Sequence, residues 1–145
     1  MSPLAVLMGK AGFLLFTLGL LLGFAIPKLR NPRMGLSAHL TAVQTGPALI
    51  AFALFWRFLA VPTPWEAPLI WILCVASYAL VTGILFAAVS GASEALPIAG
   101  SGYRASKAKE TGVAILVKGS SLAMALVCLA IAWFAIADLV TAAAG

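Results

Sequence analysis

The residues of this chain that can do chemistry are few, and they gather in one stretch, NPRMGLSAHLTAVQTG, from Asn31 to Gly46. It holds the protein's only histidine, His39, together with Ser37, Thr41, Gln44 and Thr45. The segment around them is otherwise apolar enough to cross a membrane. Polar and ionisable side chains cost free energy in hydrocarbon, so a cluster there reads as functional before it reads as packing. What an imidazole can do at that place depends on what else the chain can bring to it.

Little else is available. One histidine, with no second histidine, no thiolate cluster and no paired carboxylates, cannot supply the three or four ligands of a zinc site. The acidic residues Glu66, Glu94, Glu110 and Asp138 fall in loops or at the ends of spans. That placement disfavours carboxylate-driven proton transport through the bilayer centre and leaves a Ser-His-Asp triad without its acid. Cys74 and Cys128 sit in apolar runs with no CxxC spacing, which suits buried thiols acting as small hydrophobes and gives no basis for a disulfide. The glycines of Pro97-Ile-Ala-Gly-Ser-Gly102 resemble a phosphate loop only superficially, because no strand precedes them and no GKS/T follows.

One cofactor asks for a single protein ligand and an apolar slot: haem, held by a proximal histidine with its sixth position open. At about 100° per residue, His39, Ala42, Val43 and Gly46 share one helix face, and the small residues leave a groove beside the imidazole. Arg33, Arg104 and Lys107 stand at the same end and suit haem propionates. The alternative is a histidine that only makes a hydrogen bond. A ring facing lipid, or bonded to a carbonyl alone, points to that alternative.

The elements that hold this stretch are helices in lipid. Of the 145 residues, 63% are hydrophobic and 9% charged, with a mean hydropathy of +1.12. A soluble domain of this size needs far more charge on its surface. At about 20 apolar residues per crossing, the chain accommodates four spans in a single domain, expected at about 4–29, 32–61, 68–91 and 109–140. Asn31-Pro32 reads as the cap and first position of span two, and Pro47 as a kink within it. Gly19-Leu-Leu-Leu-Gly23 offers a close-packing seam to another helix or subunit, as do Gly83, Ala87 and Gly91 in span three. Tyr78 supplies a phenol near the middle of that span, and Val61 to Pro68 reads as a proline-rich turn.

Leu4 to Ile26 is too long for a signal-peptide core and reads as a retained first helix. The net charge of +5 flanks spans, so it orients the chain in a bilayer rather than binding nucleic acid. Lys28, Arg30, Arg33, Arg104, Lys107 and Lys109 collect on one side, expected to be cytoplasmic, with both termini outside. Trp56, Trp65, Trp71 and Trp133 suit an aromatic belt at the opposite interface.

The run NPRMGLSAHLTAVQTG, preceded by GLLLGFAIPKLR and followed later by PIAGSG, resembles the hydroxylaminobenzene mutase family over nearly the whole chain. It is more distantly similar to the membrane-bound styrene oxide isomerases, which share Ala-His followed six residues later by a polar residue and glycine, here Thr45-Gly46. The resemblance implies an all-α integral membrane four-helix bundle of the bacterial inner (plasma) membrane, assembled as a homotrimer. It implies ferric haem b at subunit interfaces, with His39 as axial ligand. It also implies an isomerase that rearranges a small aromatic substrate, such as hydroxylaminobenzene to 2-aminophenol. The iron would act as a Lewis acid without net redox change, in a pocket that excludes water.

Thr45, Gln44 and Tyr78 are the candidate substrate contacts. The chain departs from the family where Thr45 stands in place of an asparagine, losing the amide. It departs again at Leu80 in Tyr78-Ala79-Leu80-Val81, where the family carries Tyr-x-Asn-Trp. The epoxide isomerases' tyrosine of span three falls at about Ile84. A haem-binding membrane protein without isomerase activity, and a small transporter or structural membrane protein, are the other readings.

Overall fold

A computed structural model describes residues 2–144. Its helices are α1 (Pro3–Ala25), α2 (Pro32–Phe55), α3 (Thr63–Ser90), the single turn α4 (Pro97–Gly100) and α5 (Lys107–Ala144). All but α4 are long and apolar enough to cross a membrane. They alternate in direction, so the loops 26–31 and 91–106 meet at one end, called the basic end below. Pro3 and Ala144 lie at the far end.

Local signals account for most of the boundaries. The Ser2 hydroxyl accepts from the Ala5 amide at 3.1 Å and starts α1 ahead of Pro3. Asn31 does the same for α2, accepting from the Met34 amide at 3.1 Å with Pro32 in the first turn. The helix passes through Pro47 and ends at Phe55, where a 3-10 turn of Trp56–Phe58 takes over. Helix α3 begins at Thr63, inside the stretch expected to be a turn. Pro64 sits in its first turn, where an amide proton would have no partner, and the amide missing at Pro68 lies barely beyond it. Gly91 ends α3 at φ +78, a left-handed cap that only glycine adopts without strain.

Hydrocarbon gives helices no hydrophobic reason to associate, so close packing must do it. Along the α1–α2 seam, a Cβ on Gly12 would stand 2.6 Å from the Gly46 carbonyl oxygen. One on Gly46 would stand 2.7 Å from the Phe16 nitrogen, and one on Gly19 2.8 Å from the Ala42 Cβ. Backbone therefore lies on backbone. The seam between α3 and α5 works the same way at Gly83, where a Cβ would meet the Leu116 Cβ at 2.8 Å. Between α1 and α3 an outward-open groove of about 650 Å³ is lined by Leu7, Leu14, Trp71, Tyr78 and Thr82.

The basic end is tied by hydrogen bonds as well as by the packing of Met34, Ala38, Ala88, Ala92 and Val113. Asn31 is fully buried; its amide donates to the Ala88 carbonyl at 3.0 Å and its Nδ2 to the Ala99 carbonyl at 2.9 Å. The Arg30 guanidinium donates to the Ser90 carbonyl at 2.6 Å, placing a cation on the negative end of α3. Glu110, 3% exposed, accepts from the amides of Ser93, Glu94 and Ala105 at 2.9–3.1 Å. At the far end Trp56 is buried, in the same core cluster as Leu69 and Ile70, so it belongs to the core and not to the expected belt. Trp65, Trp71 and Trp133 are exposed.

Candidate functional site

His39 sits in the second turn of α2's apolar part, on the edge where α2 leaves its seam with α1. The glycines of GLLLG receive it. The Gly19 carbonyl lies 2.8 Å from His39 Nδ1, and Gly23 faces the ring directly. A carbonyl can only accept, so Nδ1 carries the proton of this bond. In the neutral ring the lone pair is then on Nε2, which has no hydrogen-bond partner among the described residues. The imidazole is half-buried, and the flanking Leu20, Phe24, Leu36 and Leu40 expose apolar surface around it.

The groove expected beside the ring is not open. Ala42 and Gly46 are buried, and the face they share with Val43 is occupied by the backbone of α1 at Gly12 and Gly19. Small residues on that face serve a helix instead of a porphyrin. A flat ligand on His39 must therefore lie on the outer surface of α1 and α2. Among the described residues no three of His, Cys, Asp and Glu gather to hold a metal together. A metal on Nε2 has to bring its other ligands with it, which is what a porphyrin does. The one-ligand donor set, the unpartnered Nε2 and the apolar surroundings fit haem in those respects.

The polar cluster shrinks once its hydrogen bonds are followed. Ser37, Thr41 and Thr45 each turn back to the carbonyl four residues earlier, at 3.2, 2.8 and 2.6 Å. Their hydroxyl protons are spent within the helix. Gln44 is different: it is exposed at mid-helix and its amide has no partner among the described residues. In hydrocarbon an amide in that state costs several kcal/mol, of order 2–7. His39 and Gln44 are thus the two groups of the stretch that still have unmet polar atoms. Five residues separate them, about 140° around α2, so they flank the outward face that carries Leu40 and Pro47.

The other expected residues lie elsewhere. The Tyr78 hydroxyl donates to the Ala11 carbonyl at 2.8 Å and lines the groove between α1 and α3. Gly19 borders the continuation of that groove, so His39 and Tyr78 stand on opposite flanks of α1 within one chain. Arg33 donates to the Ser101 carbonyl at 2.7 Å, and Lys107 pairs with Glu94 at 3.3 Å across exposed side chains. Arg104 is exposed, with no side-chain partner among the described residues. Arg33 lies six residues before His39, about 9 Å along the helix axis, whereas Arg104 and Lys107 belong to the basic-end loop. Asn31, Arg30 and Glu110 carry more of the structure than their sequence positions suggested. The cap at Asn31 was readable; its bonds to α3 and α4 were not.

Comparison with known proteins agrees with the motif. The styrene oxide isomerase family model matches residues 4–137. The chain is 39% identical to the hydroxylaminobenzene mutase HabA of Ectopseudomonas oleovorans over 108 residues, covering 74% of this chain and 80% of that protein. It is 36% identical to the hydroxylaminobenzene mutase HabB of the same organism over 133 residues, covering 91% and 81%.

Proposed function

We propose that this chain, which belongs to the styrene oxide isomerase family, is a haem-dependent membrane isomerase acting on a small aromatic substrate. Conversion of hydroxylaminobenzene to 2-aminophenol is the first reaction to test, given the mutases it is similar to. The single observation that carries the haem assignment is His39 Nε2, left without a hydrogen-bond partner among the described residues and set amid the exposed apolar side chains of Leu20, Phe24, Leu36 and Leu40. Ferric haem b bound there would supply a Lewis acid able to polarise the N–O bond of the substrate.

The chain's own residues have distinct tasks in this reading. His39 would hold the iron through Nε2, and the Gly19 carbonyl fixes Nδ1 as the nitrogen that donates. Leu20, Phe24, Leu36 and Leu40 exclude water from the reacting ring, which protects a cationic species from hydrolysis. Gln44 offers both a donor and an acceptor to the substrate's nitrogen or oxygen. Thr45 offers only the lone pair left by its bond to Thr41. Arg104 is the freest cation for a propionate, with Arg33 and Lys107 beside their present partners.

The outward face of α1 and α2 needs a cover, and a homotrimer supplies one by setting a neighbouring copy against it. Within its own chain Tyr78 is then a helix tie, and any contact it makes with substrate is in the pocket of a neighbour. The basic end is assigned to the cytoplasmic side of a bacterial inner membrane, leaving both termini outside.

The Gly19 bond favours a second reading, in which His39 is structural and the chain binds no haem. Protein purified in detergent from cells supplied with porphyrin separates the two. The proposal expects a Soret band that His39→Ala abolishes, and aminophenol formation that falls to background in the same variant. Colourless protein would return His39 to a structural role. Haem-loaded protein that forms no aminophenol would leave a haem-binding protein without isomerase activity.

A further inference from the structure

The glycines of α1 are not equivalent. A Cβ on Gly12 or Gly19 would strike the backbone or Cβ atoms of α2, so those positions serve helix packing. At Gly23 the three nearest atoms all belong to one imidazole: His39 Cε1 at 3.2 Å, Nδ1 at 3.3 Å and Nε2 at 4.0 Å. The Gly19 carbonyl, one turn earlier on the same helix, holds Nδ1 at 2.8 Å. A methyl group at position 23 would therefore require the ring to shift by a few tenths of an ångström, away from its bond to that carbonyl. Glycine in a helix interior is unfavourable against alanine, so the chain gives up helix stability here for space beside a single side chain.

We infer that Gly23 is a positioning residue for His39. With the Gly19 carbonyl it sets the tilt of the imidazole and leaves Nε2 as the nitrogen without a partner among the described residues. The inference rests on the haem reading above for its consequence, but its geometry can be tested without haem. A neutral carbonyl, rather than a carboxylate, at Nδ1 leaves the histidine a weaker electron donor to iron and the iron a stronger Lewis acid. The ligand chemistry is that of a ferric porphyrin whose reactivity comes from the open face.

The chain's single histidine makes the test selective, because ¹⁵N-histidine labelling reports one ring. Full-length protein in detergent is compared as wild type, Gly23→Ala, His39→Ala and Gly112→Ala, the last a glycine with nothing within 4 Å of its Cβ position. Without haem, at a pH where the ring is in its neutral form, the wild type should carry the proton on Nδ1, and Gly23→Ala should shift both nitrogen signals. With haemin added, Gly23→Ala should bind about tenfold more weakly and change the rhombicity of the ferric EPR spectrum. Its thermal unfolding should stay the same or move upward. Gly112→Ala should match the wild type in ring signals, haemin affinity and EPR spectrum.

A wild-type ring protonated at Nε2, or a Gly23→Ala protein with unchanged ring signals, would overturn the inference, and the first of these needs no variant to fold. Normal ring behaviour with no haemin uptake by the wild type, or equal uptake by His39→Ala, would instead overturn the haem reading and leave the steric role of Gly23 standing.

Discussion

Helix α1 meets its two neighbours in opposite ways. Against α2 it lays backbone on backbone at Gly12, Gly19 and Gly46. Against α3 it stands off across an outward-open groove of about 650 Å³, bridged by the Tyr78 hydroxyl. The tight flank is the one that carries His39. A glycine seam can hold the tilt of that ring, because neither helix can move without collision, and a fixed tilt is what the proposed ligand role asks of it. The loose flank has no such demand and keeps its free volume.

The contrast can be broken most severely at its tightest point. Gly46→Leu would place side-chain atoms where the Phe16 nitrogen and Gly12 carbonyl now stand, and should cost about 3 kcal/mol or more. Unfolding of the purified protein in increasing SDS would record it as a large loss of helix stability. A tolerated leucine would mean that the two flanks are equally compliant. Asn31→Ala acts at the end where α2, α3 and α4 are joined. Losing the cap and the bond to Ala99 should cost about 2–3 kcal/mol in the same assay, while leaving the inequality of the flanks in place. Tyr78→Phe removes the hydroxyl bridge in the middle of the loose flank, leaving that of Ser2 to Glu66 at its far end, and should cost about 1 kcal/mol. An effect as large as that of Gly46→Leu would contradict the picture of a slack α1–α3 contact.

Much of the architecture was legible because hydropathy and caps are local signals. The crossing helices, the Asn31-Pro32 start of α2 and the burial of Cys74 all follow from residues within a turn or two of one another. Reading failed where the answer depended on what stands opposite. The periodicity of α2 places His39, Ala42, Val43 and Gly46 on one face correctly, but small residues leave room for a helix as readily as for a cofactor. Only the glycines of α1 decide which. Ser37, Thr41 and Thr45 looked like a polar cluster because sequence does not show that each hydroxyl closes on its own helix.

Trp56 shows the same limit, since an aromatic residue at a span end can face the interface or the core. For His39 the carbonyl bond expected of a structural residue is present, on Nδ1. The nitrogen left over is what keeps a ligand role open, and no motif specifies which nitrogen that is.

The ties at the basic end impose an order on biogenesis. Asn31 and its acceptor Ala99 are 68 residues apart in the chain, so the turn that follows α1 reaches the membrane long before the groups that complete it exist. The first hairpin must enter the bilayer with that asparagine still hydrated. Its closure waits until α3 has been delivered and the loop behind it has emerged from the ribosome. A nascent chain halted short of Ala99 would hold the helices that bear the histidine but not the latch that secures them.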